Sequence, residues 1–380
     1  MTSFVTRGRV VLPGRRLAES LSGRDNNLNL IRIIAAAAVL VSHAFPITLG
    51  EGADEPLARL TGMTLGGWAV AVFFGISGLL ITRSFDRRST LVQFVTARVL
   101  RLFPALFVVL VITVAVGALV TTLPPAAYFA SRETLTYIPR NLSLVFLQFA
   151  LPGVFENNPL PQTINGSLWT LFYEVVCYAG VVVVGLAGLL RSRILFSLAF
   201  AGLTLAYLFS LSWQPAGGIA FHADLLISLA WPFALGMMAY LWRTSIVLDI
   251  RLAIALWLVC FAAAYSPYLQ PCVMVALLYS VAWLGFVPKR GLLLYNRLGD
   301  YSYGVYIFAF PIQQLCADVL GTAEPLSNIA AALPLTLLCA ALSWHLVEER
   351  ALAKVAPLAD RISAMFSSGN KARLSEKLGE

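Results

Sequence analysis

The chain carries ten apolar stretches of about 20 residues each, separated by short polar gaps, and this pattern leaves few folds open. About 20 residues is the length an α-helix needs to cross a hydrocarbon layer roughly 30 Å thick. The runs are Leu28–Leu49, Gly66–Ile81, Val99–Thr122, Ser167–Leu190, Ile194–Trp213, Asp224–Trp242, Leu252–Ser266, Cys272–Val287, Ser302–Leu320 and Asn328–Val347. With 59% hydrophobic and 12% charged residues in 380, the chain is read as an all-α polytopic membrane protein, not a large soluble domain. Asn141–Leu151 is apolar but too short to cross and reads as an interfacial or re-entrant piece.

The net charge of +8 invites a nucleic-acid reading, but the placement of the basic residues removes it. With the N-terminus in the cytoplasm, 23 of the 27 Lys and Arg fall on the inner side, three (Arg59, Arg132, Arg140) in outer loops, and Arg32 inside the first span. That is the positive-inside pattern, and it predicts an even number of crossings with both termini inside. The expected layout is a basic tail over 1–27, a membrane domain over 28–347 with a long outer loop at 123–166, and an inner tail over 348–380. An inner membrane, with its basic side toward the cytoplasm, is the expected location. The five cysteines lie scattered in apolar segments with no C-x-x-C pair, which reads as packing, and no metal is expected.

Charge inside a span costs at least about 2.5–3.5 kcal/mol at mid-helix, so each such residue calls for a reason. Arg32 and His43 are eleven residues apart, three turns plus about 20°, which puts both on one face about 16 Å apart along the axis. Glu174 follows Thr170 and precedes Tyr178 at i, i+4, i+8 in a polar stripe. Its position suggests a depth similar to His43, so an imidazole oriented by a carboxylate is the expected general base. Arg98 and Arg101 open the third span with Pro104 one turn on, and their guanidinium forks suit phosphate, though a plain inner anchor reads equally well. Phe73–Gly78 offers Ser77 between two close-approach glycines. Tyr301, Tyr303 and Tyr306 open the ninth span, as an interfacial belt or as cavity lining, with Pro311 further along it. His222 and Asp224 read as an outer helix start with Asp224 as its cap, and His345 as an inner-end residue.

Taken in order, these pieces resemble the acyltransferase-3 family of bacterial integral-membrane acyltransferases, from about Asn26 to Arg350. The resemblance rests on Arg32 and His43, Phe73–Gly78, Arg98 with Arg101 and Pro104, Ser167–Glu174, and Tyr301–Tyr306. It departs at Asn29, where an Asp is common, at Ala309, where a His is common, and at Glu348-Glu349-Arg350 in place of E-x-P. The resemblance implies transfer of an acyl group, commonly acetyl from acetyl-CoA, to a hydroxyl on a carbohydrate or similar envelope acceptor. It implies His43 as the essential catalytic residue, with Glu174, Arg32 and the Arg98/Arg101 pair functionally important. Ser77, Tyr301 and Tyr303 join the arginines as candidates for the acyl-CoA site. The rival class is a proton-coupled transporter of a small polar solute, since buried Arg, His and Glu describe that too, but no paired broken helices mark two corresponding halves.

Overall fold

A computed structural model describes residues 15–365, apart from positions 22, 24, 89, 214, 216, 289, 322 and 323. Much of the two tails, including Arg7, Arg9, Arg24, Lys371, Arg373 and Lys377, therefore lies outside the described residues, as does Lys289. Ten long helices account for most of the remainder. These are α1 (Leu28–Leu49), α2 (Leu65–Arg87), α3 (Leu91–Val120), α4 (Trp169–Leu186), α5 (Arg193–Ser210), α6 (Gly218–Leu241), α7 (Ile250–Ala262), α8 (Leu269–Phe286), α9 (Ser302–Leu320) and α10 (Pro325–Ser343). Among the described residues nine are long and apolar enough to cross a membrane, and α7, with 13 residues, is the short one. At 1.5 Å per residue α7 spans only about 20 Å, so the seventh apolar run, Leu252–Ser266, is finished by turns rather than helix.

Local chemistry starts several of these helices. Thr64 accepts from the Gly67 amide, Thr90 from Gln93 and Ser192 from Leu195, each satisfying a donor that has no partner within its helix. Asp224 does no such work: α6 begins earlier, at Gly218, and Asp224 lies within it.

The helices α2 and α9 are the most enclosed and form the centre, while α5 lies at the edge. Packing of α2 on α6 is closer than side chains allow. A Cβ on Gly78 would stand 1.8 Å from the Phe233 carbonyl oxygen, and one on Gly236 would stand 2.1 Å from that of Gly75. Small residues at such crossings let van der Waals contact and short backbone approach hold helices together where lipid supplies no hydrophobic drive.

Segments that the charge count places inside meet at one end. Arg15–Arg16 pairs antiparallel with Val247–Leu248, the Asn27 side chain donates to the Leu284 and Pro288 carbonyls, and Asn296 donates to Asn26. Arg101, nearly three turns into α3, reaches Glu348 beyond α10.

The long outer connection folds onto the bundle. It contains helices Pro125–Ala130 and Arg132–Leu142, and residues 143–151 form no helix, so the short apolar run makes no crossing. The segment that enters is the next one, 158–165. Asn158 Nδ2 donates to the Gln314 carbonyl at 3.0 Å, Gln314 Nε2 donates to the Leu160 and Thr163 carbonyls, and Asn165 Nδ2 donates to the Ile307 carbonyl at 2.9 Å. The irregular chain thus descends α9 by seven residues, about 10 Å. Non-helical backbone is tolerated at that depth only when enclosed by protein, and the buried amides of Asn158, Asn165 and Gln314 supply its partners.

Candidate active site

The inner chamber, about 310 Å³, is built between α1, α2, α3, α4 and α9. Its walls carry Arg32, Ser77, Arg88, Arg98, Arg101, Thr170, Glu174, Tyr178, Tyr303 and Tyr306. The apolar side comes from α2, whose Val70, Phe73, Phe74 and Ile76 face it. Most of the candidates named from sequence meet here. The arginines, however, are not equivalent.

Arg101 is fully committed. Its guanidinium donates to Asp300 Oδ2 at 2.6 Å and to Glu348 Oε2 at 3.1 Å, and lies over the rings of Tyr303 and Trp344. Arg32 donates to the same Asp300 oxygen at 2.5 Å, tying α1 to the start of α9. Burial alone would raise the Asp300 carboxyl, but the guanidiniums of Arg101 and Arg32 and the bonds from Ser302 outweigh it and hold it down at about 2. The result is a closed network of two cations and two carboxylates, with Ser343 donating to Glu348. Asp300 and Glu348 carried no role in the sequence reading. The signal was available: two guanidiniums in apolar surroundings require carboxylates, and acids at both chain-neighbouring ends of the apolar runs could supply them.

Arg98, three residues before Arg101, remains available. Its Nη2 is 3.5 Å from Ser84 Oγ, its plane lies over Phe94 and Tyr178, and its Nε is buried without a partner among the described residues. Arg88 bonds the same serine and the Gln93 carbonyl. Among the described residues neither Arg88 nor Arg98 stands within ion-pair distance of a carboxylate, whereas Arg101 does, so Arg98 and Arg101 do not present two unpaired guanidiniums. Tyr303 Oη donates to the Leu102 carbonyl at 2.9 Å. Tyr301 turns the other way, to His345 Nε2 at 3.0 Å, because two residues on a helix differ by about 200°. It does not line the chamber.

His43 lies elsewhere, in an outer chamber of about 350 Å³ with Glu55, Thr64, Trp169, Tyr207, Ser228, Gln270 and Tyr306. Its ring meets Phe310 edge-on at 5.1 Å, and its Nδ1 is buried with no hydrogen-bond partner among the described residues. Glu174 does not orient it: that carboxylate accepts from Tyr178 and lines the inner chamber. The reason is the inserted segment 158–165. Tied to Ile307, it starts α4 well below the outer surface, so Glu174, two turns further on, passes below the level of His43. The carboxylate that does share the outer chamber is Glu55, on the α1–α2 connection. It accepts from the Ser42 hydroxyl, and burial raises its carboxyl while that bond opposes the rise.

The two chambers share Val70 and Tyr306 as common wall. Tyr306 Oη is 2.5 Å from Thr170 Oγ1. An imidazole with one unpartnered nitrogen on one side, and uncommitted arginines on the other, can serve a reaction whose two substrates arrive from opposite faces.

Comparison with known proteins supplies the class. A family model described as an acyltransferase domain matches residues 25–345. The chain is 29% identical over 347 residues to an O-acetyl transferase of Shigella phage Sf6, covering 88% of this chain and 98% of the other. It is 27% identical over 383 residues to Nodulation protein 10 of Rhizobium leguminosarum bv. viciae, covering 88% and 95%. No solved structure matches.

Proposed function

This chain belongs to the acyltransferase-3 family and is a membrane O-acyltransferase, and from that premise we propose that it moves an acetyl group from acetyl-CoA to a hydroxyl of a carbohydrate of the cell envelope. The observation that carries the reading is the pair of chambers meeting at one tyrosine. In this reading acetyl-CoA enters from the cytoplasm, its phosphates held by Arg88 and Arg98 at the inner chamber, and its slender thioester arm runs up past Ser77 and Tyr303. Guanidinium groups free of carboxylates suit a phosphate, which is why Arg98 rather than Arg101 takes that role. Arg32 and Arg101 hold the floor of the chamber through Asp300.

The acceptor enters the outer chamber, where Trp169 and Tyr207 offer ring faces and Glu55 and Gln270 offer hydrogen bonds to hydroxyls. His43 removes the acceptor proton as the hydroxyl oxygen attacks the thioester carbonyl. The C–S bond breaks, the acetyl group passes to oxygen, and CoA leaves as a thiolate that takes up a proton. Glu174 and Tyr178 line the route the thioester follows. The phage relative's name favours acetyl over other acyl groups, and the inner-side arginine excess favours a bacterial inner membrane.

The test is transfer of radiolabelled acetyl from acetyl-CoA to crude envelope glycan by membranes containing the protein. Label in glycan from the wild type and at least about a hundredfold less from His43→Ala is expected. Equal labelling by both would remove His43 from the chemistry, and solute exchange without consumption of CoA would replace the enzyme reading.

A further inference from the structure

A cavity of about 650 Å³, larger than either chamber, belongs to neither of them. It lies across α2 from the inner chamber, with Ile76 in both walls, and is enclosed by α2, α6, α8 and the start of α7. Its lining is almost wholly aliphatic, including Leu79, Leu235, Ala239 and Leu278, and Leu17 of the N-terminal segment closes one side. The polar groups it does present, Ser197, Trp242, Ser245 and Tyr279, belong to the end where the α6–α7 connection crosses. An apolar space of this size does not hold ordered water, and left empty its lining forfeits contact energy.

That same end carries cations. Arg16 donates to the Thr244 carbonyl at 2.6 Å, and Arg193 donates to Thr244 Oγ1 at 3.1 Å and stacks over Trp242, itself part of the lining. Both side chains are exposed, and among the described residues neither meets a carboxylate. Arg243 beside them is 4.0 Å from Asp86 and less available. An aliphatic cavity with two unpaired guanidiniums at its rim, on the side where the charge pattern puts the cytoplasm, is complementary to one class of molecule.

We propose that this cavity holds an anionic phospholipid of the inner leaflet, one acyl chain inside and its phosphate between Arg16 and Arg193. Basic pockets between helices on the cytoplasmic side recognise such headgroups, and the guanidinium fork matches two phosphate oxygens. The occupant is not the acyl donor, whose arginines, Arg88 and Arg98, stand on the other side of α2. The lipid would seat Leu17 and the strand pair Arg15–Arg16 with Val247–Leu248 against the bundle.

The experiment uses the full chain purified in detergent, delipidated, and supplied with phosphatidylglycerol, phosphatidylcholine or glycerol-3-phosphate, with retained lipid read by native mass spectrometry and stability by thermal melting. Phosphatidylglycerol is expected to be retained roughly thirtyfold better than phosphatidylcholine, as two arginines near a charged lipid predict, and to raise the melting temperature. The double variant R16Q/R193Q, altered only at exposed side chains, should lose that preference, and Ala239→Phe, which fills the cavity, should lose retention of both lipids. Equal retention of the two lipids by the wild type would overturn the headgroup site. A melting shift from glycerol-3-phosphate as large as that from phosphatidylglycerol, or unchanged retention in Ala239→Phe, would overturn insertion of the chain.

Discussion

The Tyr306 hydroxyl lies 2.5 Å from that of Thr170, a bond at the partition that Tyr306 forms between the inner chamber and the chamber of His43. In the proposed reaction the partition opens for transfer, and opening it without an acceptor in place would admit water to the thioester. Tyr306→Phe keeps the ring and removes the bond, at a cost of about 1 kcal/mol. CoA release in the absence of glycan should rise relative to release in its presence. An unchanged ratio would show that Tyr306 is not the barrier.

Removing the imidazole should be more severe. His43→Ala is expected to lower transfer by roughly 10²–10⁴, the range that general-base catalysis supplies. Its melting temperature in detergent should stay close to wild type, since Nδ1 makes no hydrogen bond to lose.

Arg98 and Arg101, one turn apart, should separate into two phenotypes. Arg101→Gln leaves Asp300 and Glu348 facing each other with less compensation, and breaking a buried pair of this kind costs about 3–5 kcal/mol. The melting temperature should drop sharply. Arg98→Gln removes no ion pair, so the melting temperature should hold while KM for acetyl-CoA rises. The two variants giving the same profile would contradict the assignment of Arg98 to the donor.

Asp300 gives a pH dependence with a definite sign. Its carboxyl is held at about 2, below the ordinary 3.8, so the stability it contributes is fully present above pH 3.8 and is lost as pH falls through about 2. Asp300→Asn should therefore melt lower than wild type at neutral pH, and the gap between the two should close on acidification through that window. A gap that stays constant down to pH 2 would mean that the carboxylate is not the source of the stability.

The spans were legible because bilayer thickness fixes the length of an apolar run, and their order along the chain survived folding almost unchanged. The sequence also marked Arg32, His43, Arg98 and Glu174 as residues needing explanation, since each sits in hydrocarbon surroundings. What it did not carry was depth. The chain from Asn158 to Asn165 contains prolines and amides that read as an outer loop, and only their bonds to Gln314 and Ile307 reveal that it enters the bundle. Those bonds are between residues about 150 apart, beyond any local pattern. Once α4 begins deep, Glu174 cannot meet His43, and the expected pair dissolves into two separate sites. The apolar run 141–151, too short to cross, makes no crossing, and it buries Leu144 and Leu151 against the bundle.

Gly78 and Gly236 bring the backbones of α2 and α6 together with no side chain between them. Two helices so joined cannot roll or slide past one another without a collision of main chain on main chain. They form a fixed wall, and the contact of α4 with α9 through Thr170 and Tyr306 is a side-chain bond with no such main-chain lock.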